Sequence, residues 1–184
     1  MIVAEFLEAI EAIRPVLLEE APKCEQERRV TARAFQALRS AGLFTMQAPK
    51  RFGGLEMHPT ASLKVWEALG RIDSSIAWNA FMVHGGVAPF SAWLPEEGIR
   101  AVYADGIPTI AGALAPPLRT ERVVGGWRIS GTAPFASGCH NVDWFGLPLS
   151  HETRPQFAGF LRARDGVIDD TLKLCEHVRL YQPR

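Results

Sequence analysis

The chain holds few of the residues that build the simplest functional sites. Of 184 residues three are cysteine, Cys24, Cys139 and Cys175, and no two of them form a C-x-x-C pair. They are too few and too scattered for a disulfide framework or a structural zinc site. Cys139 and His140 are adjacent, and adjacent residues on a strand point to opposite faces, so they make a poor chelating pair. All three read as packing thiols without chemistry. Net charge is also lacking: twenty basic and twenty acidic residues cancel, which leaves no broad positive field for a nucleic-acid surface. Every apolar run is broken by proline, glycine or charge well short of the ~20 residues of a membrane span. The amino terminus opens an acidic helix without the basic start of a secretory signal. These absences exclude nucleic acid and membrane as partners and point to a cytoplasmic protein. No G-x-G-x-x-G follows a strand pattern, and the Gly-rich loop at residues 48–54 lacks phosphate-loop spacing, so it reads as a connection between helices.

What is present is ordinary globular composition, 47% hydrophobic and 22% charged, with no internal repeats. Ile2, Phe6, Ile10, Ile13 and Leu17 recur every three or four residues, which predicts an amphipathic first helix. Pro15 predicts a kink or break in it, and Pro22 its end. Thr31 is placed to cap a second helix with Ala34, Phe35 and Leu38 inward and Gly42 as its left-handed stop. Pro59 starts a third, with Leu63, Trp66, Leu69 and Ile72 on its buried side. Asp73 or Ser74 caps a fourth, running to about Ala92, in which Ile76, Ala77, Ala80, Phe81, His84 and Val87 share a face. That helix is apolar nearly all round, so it belongs at the centre of the helical region with the following domain as cover. Pro95-Glu96-Glu97 opens a fifth helix that ends near Gly106.

From Ile107 the period changes. Val123-Val124 and Trp127-Arg128-Ile129 flank Gly125-Gly126, a glycine pair suited to a two-residue hairpin. Trp144–Leu149 and Phe157–Leu161 read as further strands, with a turn at Asp165-Gly166. Trp66 and Trp93 read as core, and Trp127 as packing on the sheet beside the hairpin. The fold class is therefore α+β, with an amino-terminal helical domain over residues 1–106 and a partial antiparallel, barrel-like β domain over 107–171.

Several of these segments carry a resemblance. Gly42-Leu43-Phe44, Pro49, Arg51-Phe52-Gly53-Gly54, Ala115-Pro116, Gly125 to Gly131, Phe135-Ala136-Ser137-Gly138 and Asp143-Trp144 follow, in this order, the pattern of the acyl-CoA dehydrogenase superfamily. Over roughly residues 5 to 170 the chain is most similar to its branch of flavin-dependent monooxygenases that hydroxylate aromatic or heteroaromatic substrates. The resemblance implies a helical amino-terminal domain, a central barrel-like β domain, and a carboxy-terminal four-helix domain that is missing here. After Thr171 the tail, residues 172–184, departs from the pattern as a truncated or frame-shifted sequence does, and is expected to be poorly packed.

The resemblance also implies a cofactor, FAD or FMN, in reduced form if the enzyme is a monooxygenase. Phe135, Ala136 and Ser137 match the place where an aromatic residue flanks the flavin ring and a hydroxyl two positions later donates to its polar edge. From the residues alone, Ala-Ser-Gly reads merely as a turn. Residues 111–116 match a strand and turn whose backbone meets the flavin; here Ala111, Ala113 and Leu114 are apolar, so only backbone contact carries over. The Thr-Glu-Pro pattern of the dehydrogenases is absent from that stretch, which favours the monooxygenase branch. His84 matches a histidine on the substrate side of the flavin, where a neutral imidazole can bond a phenol, though a lone histidine on an apolar face is also a common core residue. No catalytic residue is identified, since the superfamily's catalytic base lies in the missing domain. The reading is a flavin-dependent oxidoreductase of hydroxylase type, or a piece of one, acting on a small molecule. Implied partners are a second copy or a separately encoded carboxy-terminal half, and a flavin reductase. A non-catalytic remnant or interaction subunit, and a dehydrogenase acting on CH–CH groups, remain open alternatives.

Overall fold

A computed structural model describes residues 2–87, 92, 94–124, 126–169 and 177–180. Trp93, Gly125, Cys175, residues 88–91 of the expected fourth helix and the rest of the tail lie outside the described residues.

Helix α1 (Ile2–Glu27) is 26 residues long and buries Phe6, Ile10, Leu17, Glu20 and Cys24. Both Pro15 and Pro22 lie inside it, so Pro22 does not end it, contrary to the sequence expectation, and Pro15 does not break it. Each proline frees one carbonyl a turn earlier, but both sit on the exposed side, where water can take that carbonyl while packing opposite holds the helix. Helix α2 (Ala32–Ser40) is capped as expected: Thr31 Oγ1 accepts from the Ala34 N–H, and Gly42 (φ 75°) turns the chain left-handed after it. α3 (Pro59–Gly70) starts on its proline and buries Ser62, Val65, Trp66 and Leu69. Leu63, expected inward, is exposed, because the stripe facing the core is one position away from it. α4 (Ser74–Gly85) is capped by Asp73 Oδ1, which accepts from the Ile76 N–H at 2.7 Å. It ends earlier than expected, at a Gly-Gly pair that disfavours helix by about 1 kcal/mol per residue. α5 (Glu96–Val102) has Pro95 as its cap residue.

The sheet contains β1 (Ile110–Gly112), β2 (Leu118–Val123), β3 (Gly126–Ala133), β4 (Trp144–His151), β5 (Arg154–Arg162), β6 (Val167–Asp169) and β7 (His177–Leu180). The expected hairpin is present, β2 and β3 being antiparallel, but Gly126, expected in its turn, is the first residue of β3 and stands opposite Val123, so the turn lies one residue earlier than expected. β4–β5, β3–β7 and β6–β7 are antiparallel as well. β1 and β2 both run parallel to β4, however, so the sheet is mixed rather than wholly antiparallel. Since β5 occupies one edge of β4 along its length, β1 and β2 share the other edge, at its two ends. The six steps from Gly112 to Leu118 cover only three on β4, from Gly146 to Leu149, so the chain between them loops out of the sheet. Close backbone approach explains the glycine at 112, where a Cβ would overlap the Gly146 carbonyl. Residues 177–180 of the tail pair with both β3 and β6, the free edge of β3 offering them hydrogen bonds.

Three apolar clusters result. One fills the helical region, one lies under β1–β5, and a third joins them through Ala48, Val87, Ile99, Val102, Tyr103 and Ile110. Among the described residues no helix is long and apolar enough to cross a membrane.

Candidate functional site

Two departures from the sheet create the site. The first is the excursion between β1 and β2, residues 113–117, which contains the cis peptide Ala115–Pro116. The second is the turn after β3, residues 134–138. The turn and the excursion meet where Ala136 of the one and Ala113 of the other are buried in the same apolar cluster, and the turn has its own backbone signature. Two of its residues are left-handed, Phe135 (φ 60°) and Gly138 (φ 84°). A left-handed phenylalanine is uncommon enough that its surroundings must hold it there.

The six cofactor-wall candidates separate by burial. Ala111, Ala113 and Ala136 are buried together in the sheet core with Cys139 and Phe145, so their methyl groups face inward and only their backbone can meet a ligand. Leu114 and Phe135 point outward, 77% and 63% exposed. Ser137 is half-buried. Gly138 rests against Val83 and Asn79, which brings the turn onto α4. The expected cover of α4 by the β domain is thus formed at this point, on Val83 and Asn79, which sequence reasoning did not single out.

His84 follows Val83 and is 1% exposed, its ring tilted against Trp66 at 5.3 Å. Burial pushes its pKa down to about 4; the nearby Phe44 backbone opposes this but makes no well-formed hydrogen bond with it. Both ring nitrogens lack a protein partner among the described residues. A buried neutral imidazole in this state retains one donor and one acceptor for a hydroxyl or water. Phe81, expected on the inner face of α4, is 40% exposed, and Trp78 on the same helix is 56% exposed. α4 carries apolar groups on most sides, while the described residues cover only part of it.

A separate cavity of about 280 Å³ lies at the other end of β1, lined among others by Arg39, Asp105, Asp143, Trp144, Arg162 and Arg164. Its arginines are matched by carboxylates: Arg39 with Asp143 (3.1 Å), Arg162 with Asp105 (3.4 Å) and Arg164 with Asp165 (4.0 Å). It therefore offers a ligand little uncompensated charge. Among the described residues no three His, Cys, Asp or Glu side chains are grouped to hold a metal ion, and Cys24 and Cys139 are buried. Trp66 is core as expected, and Trp127 packs on the sheet beside the hairpin as expected, half-exposed, edge-on to His151 and under the Arg122 guanidinium.

Comparison with known proteins locates this arrangement in a family. Residues 5–98 match the model of the acyl-CoA dehydrogenase N-terminal domain. Over 128 residues the chain is 32% identical to an indole-3-acetate monooxygenase of Pseudomonas putida, covering 68% of this chain and 32% of that protein. It is 30% identical over 140 residues to the oxygenase component of an FADH2-dependent resorcinol hydroxylase of a Rhizobium species, covering 73% and 33%. Among solved structures, XiaF from a Streptomyces species, in complex with FADH2 and glycerol, superposes with TM-score 0.87 at 23% identity, over 97% of this chain and 48% of that one. At that identity the likeness establishes the fold alone. The chain spans less than half the length of the curated relatives it matches.

Proposed function

This chain belongs to the acyl-CoA dehydrogenase family, and on that premise we propose that it forms the flavin-facing wall of a flavin-dependent monooxygenase acting on a small aromatic or heteroaromatic molecule. The observation that carries the reading is the pair of out-of-sheet segments, residues 113–117 and 134–138, sharing one apolar cluster through Ala113 and Ala136, the second seated on α4 at Gly138, with Leu114 and Phe135 turned outward. The residues suit a flavin chemically. Phe135 presents an aromatic face beside the small backbone wall of Ala111, Ala113 and Ala136, and the Ser137 hydroxyl can donate to a polar ring edge. When bound, reduced flavin supplies the electrons for oxygen activation.

The chain's own residues bind, orient and exclude water. Leu114 and Phe135 lose exposed apolar area against a ring, which favours binding by about 25 cal/mol per Å² covered. His84, neutral above a pKa of about 4, buries no charge beside the wall, but at 1% exposure its ring nitrogens lie out of a substrate's direct reach. The proposed partners are a reductase that supplies reduced flavin, and either a second copy or a carboxy-terminal half that covers α4. Two supports are the Rhizobium relative, an oxygenase component by name, and the exposure of Trp78 and Phe81.

Titrating the purified chain with FMN and FAD tests the reading. A saturable change in the flavin spectrum, weakened when Phe135 or Leu114 is made polar, is expected. Flavin that stays free at millimolar concentration, with the chain folded, would instead support a non-catalytic remnant.

A further inference from the structure

We infer that Asn141 and Asp143 are positioning residues for the cofactor wall, holding the turn at residues 134–138 onto α4 by gripping α2 at both of its ends. This rests on the flavin reading above. With two left-handed residues, one of them Phe135, the turn needs outside support to keep its shape. That support begins directly after it. Residues 139–141 form a short 3-10 turn, in which the Cys139 N–H donates to Ala136 O (3.1 Å) and the Asn141 N–H to Gly138 O (3.1 Å).

From this segment two side chains cross to the helical domain. Asn141 Nδ2 donates to the carbonyl of Val30 at 2.8 Å, immediately before the α2 cap. Asp143 Oδ2 accepts from Arg39 Nη2 at 3.1 Å, in the last turn of α2. The same carboxylate oxygen accepts from the N–H and the hydroxyl of Thr109, both at 2.8 Å, so the start of β1 is held as well. Arg39 Nη2 also donates to Thr109 Oγ1 at 3.0 Å.

α2 is nine residues, roughly 13 Å, long. Attachment at both ends fixes the angle between the domains as well as their distance, which a single contact cannot do. The Arg39–Asp143 pair is partly exposed, so its charge attraction is weak. Its value is directional. Thr109 is fully buried, so removing its partners leaves a polar group short inside the protein. Asn141 and Asp143 follow the turn by three and five residues, so whatever shifts them shifts Gly138 on Val83.

Hydrogen exchange and FMN titration on the same variants test this. In Asn141→Ala and Arg39→Met the amides of Cys139 and Asn141 should exchange roughly tenfold faster, and the FMN Kd should rise roughly fivefold. Asn141→Asp keeps the size but loses the donor and should behave like the alanine variant. Ile10→Val, a core change in α1 of similar stability cost, is the control and should move neither readout. Exchange in Asn141→Ala no faster than in the control overturns the inference. So does faster exchange with an unchanged FMN Kd in both latch variants, since the network is then only structural. If the unaltered chain binds no FMN, the flavin reading fails by itself, and the exchange comparison still decides whether Asn141 holds the turn.

Discussion

Gly138 and Val83 approach so closely that a Cβ on the glycine would overlap the valine Cγ2. Gly138 also sits at φ 84°, where a side chain is strained whatever the space. Gly138→Ala should therefore destabilise the chain by about 2–4 kcal/mol in urea unfolding, from backbone strain and overpacking together. Adding Val83→Ala removes the overlap but not the strain, so it should recover about 1 kcal/mol of coupling. A Gly138→Ala variant as stable as the parent would show that the turn is not seated on α4.

Ser137→Ala removes one donor from the proposed flavin edge and leaves the backbone in place. Flavin affinity should fall by about 0.5–1.5 kcal/mol, with a shifted absorption band and an unchanged melting temperature. Identical titration curves for parent and variant would remove Ser137 from the cofactor wall.

His84 should make folding sensitive to mild acid. Its folded pKa, about 4, lies below the ordinary 6.5, so between these values the unfolded chain binds more protons and stability rises with pH. The contribution is complete above pH 6.5 and lost as pH falls towards 4, on the order of 3 kcal/mol in full. His84→Leu removes two unpartnered polar atoms and should flatten this window. A variant with the parent's slope from pH 6.5 to 4 would exclude His84 as its source.

Glu20 should act in a lower window with a different cause. Hydrogen bonds from Lys23 first, then Thr31 and Arg33, hold its carboxyl down to about 2 against an ordinary 4.5. Here the folded state keeps the charged form, so stability is present above pH 4.5 and lost as pH falls through 4.5 towards 2. Glu20→Gln should abolish this lower step while leaving the step from 6.5 to 4 intact. Acid titrations of unfolding on both single variants separate the two.

Exposed Trp78 and Leu114 should drive association of the isolated chain. Trp78→Gln with Leu114→Gln should lower the weight-average mass in sedimentation at equal concentration. If the parent is a monomer at high concentration, α4 needs no apolar cover.

Much of the helical region was legible because its signals are local. Thr31 with Gly42 and Pro59 with Asp73 each act within a few residues of where they stand, and all took the expected roles. Pro22 misled because a proline's cost depends on whether its freed carbonyl reaches solvent and on what packs opposite. Leu63 and Phe81 misled because a stripe of period 3.6 leaves its edge residues to be assigned by their neighbours. In the candidate site, Ala111, Ala113, Leu114, Phe135, Ala136 and Ser137 were found by ordered motifs. That three of them turn their methyl groups into the core was not, since burial depends on partners far along the chain.

By itself, the sequence determined the change from helix to strand after Gly106, the existence of the β2–β3 hairpin, and the family pattern, all of which rest on spacing along the chain. Only the tertiary structure decided that β1 and β2 run parallel to one edge of β4, and that Gly138 rests on Val83. It alone joined Asp143 to Arg39, 104 residues away. Contacts between distant segments compete with many alternatives in the unfolded chain, and they are settled only when the whole core closes around them.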